Sequence, residues 1–445
     1  MRSLNSSLCF GLCALLLASS AHAQIGKRFP SERKLVTDPV TGTVLTFLTS
    51  RPHGDSKIYQ THPQWTADGQ WLIFRSGLAH GEAMAVNEKT GDIVQVSEGG
   101  YDGMLNAAQH SMRLVFLRRA GGRQEVVEVD LARLFADSAA GKLQPAAGYQ
   151  RVAATLPAGA GGDTALDADE EWLYFREGVD EAARHLAPGT KLEPAFGPRH
   201  MGAGPGGIGR VNLRTGEIRH VVSVPFQVGH IQSNLWNPGE IVFCWETGGK
   251  SPQRTWTVHA DGSGLRPLYP EASYEWVTHE AVFSKDEVAL AIMGHRAIPG
   301  AAAAVDAPAT GVGGANPGQD DGWGPTGTRE KPTGLAVINL RTRQMQIVGQ
   351  TASGSGFWHV NGSSDGRFVA GDDFSRSLYL IDRRNHEMML LTTGHKTTAA
   401  DHTHPTFSAD GTRIEIQSAM LSADGRTMNI CIVPVPESWL KRPAP

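Results

Sequence analysis

The chain has 445 residues, a formal net charge of −4, 40% hydrophobic and 19% charged residues, with 52 Gly and 25 Pro. Those proportions exclude a collagen, a coiled coil and a disordered tail, and describe a globular protein rich in turns. The near-neutral to acidic balance offers no electrostatic footprint for DNA or RNA, so nucleic acid is not expected as a partner.

The first element in chain order reads as an export signal. Arg2 precedes an apolar run from Leu8 to Ala18, and Ala21-His22-Ala23 places small residues where signal peptidase needs them. Residues 1–23 are therefore expected to be removed, leaving Gln24 first. The run is shorter than the about 20 residues a spanning helix needs, so no membrane span is expected after cleavage. Cys9 and Cys13 leave with the signal. Cys244 and Cys431 lie in strand-like runs (IVFCW and NICIV) and read as small buried hydrophobes, not as a disulfide framework.

From residue 24 to about 440 one phrase recurs: an apolar stretch, a polar turn, then an alternating apolar strand. It appears as HPQWTADGQWLIF (62–74) and HPTFSADGTRIEI (404–416). Looser copies begin at Leu105, Asp163, His230, Thr278 and His359, which makes seven. Strand-turn-strand phrases such as AVNEKTGDIVQV and RVNLRTGEIRHV separate them, giving about four strands per unit. Seven such units predict an all-β fold, a seven-bladed β-propeller with four antiparallel strands per blade. The repeats resemble those of the Tol-associated periplasmic proteins. Two stretches interrupt the rhythm, about 179–209 and 297–332. Each falls between the second and third strand of its unit, on the face where innermost strands begin.

Five histidines open an innermost-strand phrase, namely His62, His230, His279, His359 and His404, and His402 stands two residues before the last. In a propeller those positions ring one mouth of the central channel, so residues far apart in sequence converge there. His402 and His404 alternate along an extended segment and point to the same side. Neutral imidazoles suit Zn, Mn, Fe, Ni or Cu, and spacing does not choose among them. Asp401 and Glu280 adjoin these histidines as ligands or as acceptors that fix a ring tautomer. Arg210 and Arg254 are expected to begin third strands near the same face, where a guanidinium grips a carboxylate bidentately. Substrate contacts are expected from Arg254, His359 and His62.

GHIQSNLWNPGEIVFCWE (229–246), THE (278–280) and DHTHPTF (401–407), with TDPVTGTVLTFLTS (37–50), resemble the oligogalacturonate lyases of polysaccharide lyase family 22. That resemblance implies a seven-bladed propeller with a manganese ion at the channel mouth, cutting short pectin oligomers by β-elimination. It implies His230 as general base, His279, His402 and His404 as metal ligands, and Arg210 as the assisting arginine. The family's Gln three residues before the first His of HxH is replaced by Ala399, which leaves His359, Asp401 or a water as fourth ligand. The expected substrate is a uronic-acid oligosaccharide, and the expected location is the periplasm or the exterior. Two alternatives stand beside this: a non-catalytic Tol-associated type of scaffold, and a propeller lyase for another uronate-containing glycan. GxSxG, P-loop, Rossmann, HExxH and EF-hand patterns are absent from the sequence.

Overall fold

The computed structural model describes residues 24–79, 81–195, 201–248, 251–271, 275–293, 332–350 and 356–442. The expected signal segment and most of the second interruption lie outside them. The described strands form seven antiparallel sheets, five of four strands and two of five, so the seven-bladed propeller is confirmed. Innermost strands of blades 1 to 7 are Asp55–Lys57, Asp102–Ala107, Gly161–Leu166, Val228–Ser233, Trp276–Ser284, Phe357–Gly362 and Thr406–Phe407.

Closure uses the amino-terminal segment. Blade 7 takes three strands from the end of the chain and two from its start, Val44–Phe47 and Lys34–Thr37. Thr46 and Phe47 pair with Ile432 and Cys431. Immediately before them, Arg28–Phe29 adds the outer edge of blade 1. One short segment thus ties the first blade to the last, so the ring closes without exposing a long sheet edge.

Apolar alternation explains why the blades stack. In blade 2, Leu114 and Phe116 pack toward blade 1, while Val115 and Leu117 pack toward blade 3. Successive strand residues face opposite sides of a sheet, so each blade supplies two apolar faces. Among the described residues the main core is accordingly seven large clusters, one between each pair of neighbouring blades, with two smaller ones of three residues each. Truncating a fully buried member such as Phe116 to Ala is expected to cost about 3–5 kcal/mol.

The first interruption is shorter than its glycine content indicates. Ala203–Asn212 is a ten-residue strand, the third of blade 3, and the described residues 179–195 before it, with the short helix Val179–Arg184, lie outside the sheet. Gly207 and Gly209 serve packing, since an added Cβ would come within 2.5 Å of Glu177 and 2.7 Å of Phe175 respectively.

Candidate active site

The innermost strands share a backbone device that aims side chains into the channel. In blade 4 Gly229 pairs with Cys244 and Gln232 with Val242, leaving His230 and Ile231 bulged. Blade 5 does the same at His279 and Glu280, blade 6 at Trp358 and His359, and blades 2 and 3 at 103–104 and 162–163. In blade 7 His404 falls between Thr403, bonded to Gln417, and Thr406, paired with Glu415. Such bulges re-aim a side chain and terminate pairing beside functional sites.

His230, His279 and His404 hold φ of 47°, 55° and 51°, in the left-handed region. At the same point blades 2 and 3 carry Gly103 and Gly162 with φ of 71° and 80°. A side chain there costs about 1–3 kcal/mol of strain, which persists only where surrounding contacts enforce it. Asp163, on the blade 3 bulge, accepts the His230 backbone N–H at 2.8 Å.

Four imidazoles converge at the mouth. The His359 ring lies 3.6 Å from that of His404, 4.1 Å from His279 and 5.2 Å from His402, centroid to centroid. Three of their nitrogens, His279 Nε2, His402 Nδ1 and His404 Nε2, are buried and make no well-formed hydrogen bond, although carboxylate oxygens of Asp372 and Asp401 lie 3.4 Å from His402 Nδ1 and 3.0 Å from His404 Nε2. His404 Nδ1–H donates to Gln60 Oε1 at 2.8 Å, which leaves Nε2 as a lone-pair donor. His279 Nδ1 lies 2.7 Å from the Tyr59 hydroxyl, and in the tautomer with Nδ1 protonated its Nε2 is free in the same sense.

Burial, with neighbouring cations, holds His279 well below the ordinary imidazole range, and burial with His404 brings His359 down to about 4. Both rings are thus neutral, the form a metal requires. Asp372 lies beneath, 3.5 Å from His359 Nδ1 and 3.4 Å from His402 Nδ1. His359, Asp372 and His402 form a compact donor group. Buried nitrogens, neutral rings and one carboxylate fit a divalent transition metal.

Beside this cluster stands a charged group on blades 4 and 5. His230 Nδ1 lies 3.2 Å from Glu280 Oε1, and its Nε2 lies 3.4 Å from Glu246 Oε2. Burial opposes protonation of His230, but the carboxylates of Glu280 and Glu246 outweigh it and raise its pKa. Arg254 donates from Nε to Glu280 Oε2 at 3.0 Å, and its Nη2 is 3.3 Å from His230 Nδ1. The His230 side chain is 20% exposed against 3% for His359 and His402, so the accessible ring is the one outside the cluster.

The structure therefore gathers His230, Arg254, His279, His359, His402 and His404 at one mouth. Two expected residues are elsewhere. Arg210 is the eighth residue of its strand, not the first, because that strand begins at Ala203. It pairs across to Tyr174 and Arg219 and its guanidinium sits 4.3 Å over the Trp172 ring, away from the strand end that faces the mouth. His62 lies in a long bulge of blade 1, but Nδ1 meets the Thr61 hydroxyl and Nε2 the Thr164 carbonyl, both at 2.7 Å. No ring nitrogen remains for a substrate.

Ala399 packs with Ala419 and Met428, while His359 stands inside the cluster. Sequence reasoning missed Tyr59, Gln60, Glu246 and Asp372. Cys244 is buried as expected, yet its thiol lies in one donor group with His230 and Glu280. Only the sheet register brings these together.

Fold and site together define a propeller whose bulged innermost strands present a histidine cluster at one channel mouth. Two solved structures share that fold, an oligogalacturonate lyase in complex with manganese and an oligogalacturonate lyase from Vibrio parahaemolyticus. Each aligns at a TM-score of 0.68 and 18% identity over 94% of this chain and 100% of its own. No protein-family profile matches the chain, and no curated protein sequence matches it significantly.

Proposed function

We propose that the chain is an exported, metal-dependent lyase that cleaves oligogalacturonides by β-elimination. The observation that carries this reading is the cluster of buried imidazoles whose inward nitrogens make no well-formed hydrogen bond and lie beside the carboxylates Asp372 and Asp401, next to a more accessible His230 held by a carboxylate. Likeness of fold to two oligogalacturonate lyases supports it.

β-Elimination removes the C5 proton, α to the uronate carboxylate, and expels the glycosidic oxygen at C4. That proton is weakly acidic, so the carboxylate charge must be offset and a neutral base held close. In this reading His279, His402 and His404 hold the ion, with His359 as the fourth imidazole where the family has Gln. Manganese is the ion proposed, because one structural neighbour is a manganese complex. When bound, it supplies Lewis-acid neutralisation of the substrate carboxylate.

The chain's own residues do the rest. In the His230 tautomer with Nδ1 protonated, Glu280 accepts that N–H across 3.2 Å and the Nε2 lone pair is available for the C5 proton. Glu246 stabilises the imidazolium that results. Arg254, committed to Glu280 through Nε, places its Nη edge beside His230 and adds positive charge where the enolate develops. The departing C4 oxygen leaves as a hydroxyl by taking a proton from solvent or from the His230 imidazolium, so no second carboxylate acid is required, unlike glycoside hydrolysis.

A lyase for another uronate glycan is the second reading. Ala399 favours it, since the departure from the family falls at a ligand position. The test is product analysis of the mature protein with Mn²⁺ and a panel of galacturonate, glucuronate and mannuronate oligomers. A metal-dependent product with a C4–C5 double bond, abolished by His230→Ala, is expected from galacturonate. Its appearance from another uronide alone would establish the second reading, and no unsaturated product from any uronide would refute both.

A further inference from the structure

Arg376 has no part in that chemistry, and its setting is unfavourable. It lies in the loop 374–377 that joins the second and third strands of blade 6, next to Asp372 and Asp373 and on the face that carries the histidines. The residue is 2% exposed, and its Nε and Nη1 have no hydrogen-bond partner. Among the described residues its guanidinium makes no ion pair. Its φ is 68°, a left-handed conformation unusual for arginine.

The loop is built to hold that conformation. The Arg376 N–H donates to the Asp373 carbonyl at 3.0 Å. Ser375 and Ser377 backbone N–H groups donate to Asp373 Oδ1 at 2.8 and 2.9 Å. Asp372 and Asp401 are the guanidinium's other charged neighbours, but both are engaged. Asp372 accepts from the His359 and Thr403 backbone N–H groups at 2.6 and 2.9 Å. Asp401 accepts the His402 N–H at 2.7 Å and lies 3.0 Å from His404 Nε2.

We propose that Arg376 is a second carboxylate-binding group of the substrate cleft, gripping the uronate next to the one whose carboxylate meets the histidine cluster. This rests on the lyase reading above. A buried, unpaired cation is offset by an anion and only weakly by sugar hydroxyls. The planar guanidinium fork matches a carboxylate bidentately, and an oligouronide carries a carboxylate on every residue. Arg254 belongs to blade 4 and Arg376 to blade 6, so the two cations come from different sides of the histidine cluster. A grip remote from the breaking bond acts alike in the ground and transition states, and therefore appears in KM.

The test compares wild type, Arg376→Met and Arg376→Lys by steady-state kinetics on a galacturonate trimer and by melting temperature. We expect KM to rise about thirty-fold or more in Arg376→Met, with kcat within about threefold, and Arg376→Lys to fall between. Melting temperature should hold or rise in Arg376→Met, because an unpaired buried charge is removed. An unchanged KM in both variants, or a lowered melting temperature showing a structural role, overturns the proposal. If wild type cleaves the trimer and the variants match it, this proposal fails alone. If wild type yields no unsaturated product from any uronide, the lyase reading fails and takes this one with it.

Discussion

Blades 2 and 3 and blades 4, 5 and 7 use the same bulge in the innermost strand, yet fill it differently. Gly103 and Gly162 take the left-handed position without strain, whereas His230, His279 and His404 take it at a cost. At that position blades 2 and 3 thus present bare backbone, where blades 4, 5 and 7 present imidazoles. The geometry that aims a side chain at the axis belongs to the propeller, and the chemistry belongs to the residues that accept the strain.

The contrast can be broken most sharply at His230. His230→Ala should lower kcat about a thousand-fold, within the range of a lost general base, while bound metal measured by elemental analysis stays at the wild-type level. His404→Gly should do the reverse of a core truncation. Glycine accepts the φ of 51°, so melting temperature of the metal-free protein should hold or rise, while metal retention after dialysis is lost.

Blade 1 sharpens the comparison, because its histidine is sealed. Burial, the largest influence, lowers both His62 and His395 to about 4. Their folded pKa lies below the unfolded value of about 6.5, so the unfolded chain binds protons first. Stability is full above about pH 6.5 and falls as pH drops toward 4, by up to on the order of 3 kcal/mol per histidine. Urea unfolding across that window checks it.

Gly103→Ala tests the bare half. Its Cβ would meet the Gly162 carbonyl oxygen at 2.4 Å, backbone that cannot step aside, and φ is positive. A loss of about 2–3 kcal/mol by denaturant unfolding is expected. The smallest effect is on pH. Glu246 helps raise the His230 pKa, and the base acts only when neutral. Glu246→Gln should move the acidic limb of the kcat/KM profile down by about one pH unit or less.

Most of the architecture was legible because each blade repeats its phrase and alternates apolar residues along its strands. His230, His279, His402, His404 and His359 were legible for the same reason, their positions relative to the turn. Arg210 was misplaced because the run 202–209, rich in glycine, reads as loop. In the structure those glycines let the strand approach Phe175 and Glu177 closely. Tyr59, Gln60 and Arg376 carry no local signal. The first two enter the mouth through a six-residue bulge between Lys57 and Gln64, and Arg376 through a strained turn, neither of which follows a period. Closure by residues 34–47 was also hidden, since its partners lie nearly 400 positions away.

The central claim is that histidines of blades 5, 6 and 7 hold a metal ion beside the base of blade 4. X-ray absorption spectroscopy on the protein loaded with Mn²⁺ and freed of excess metal tests it most directly. The account predicts stoichiometric metal with a coordination shell dominated by imidazole, diminished in His279→Gly and His404→Gly. Substoichiometric metal, or a shell of water and carboxylate oxygens unchanged by those substitutions, would contradict it.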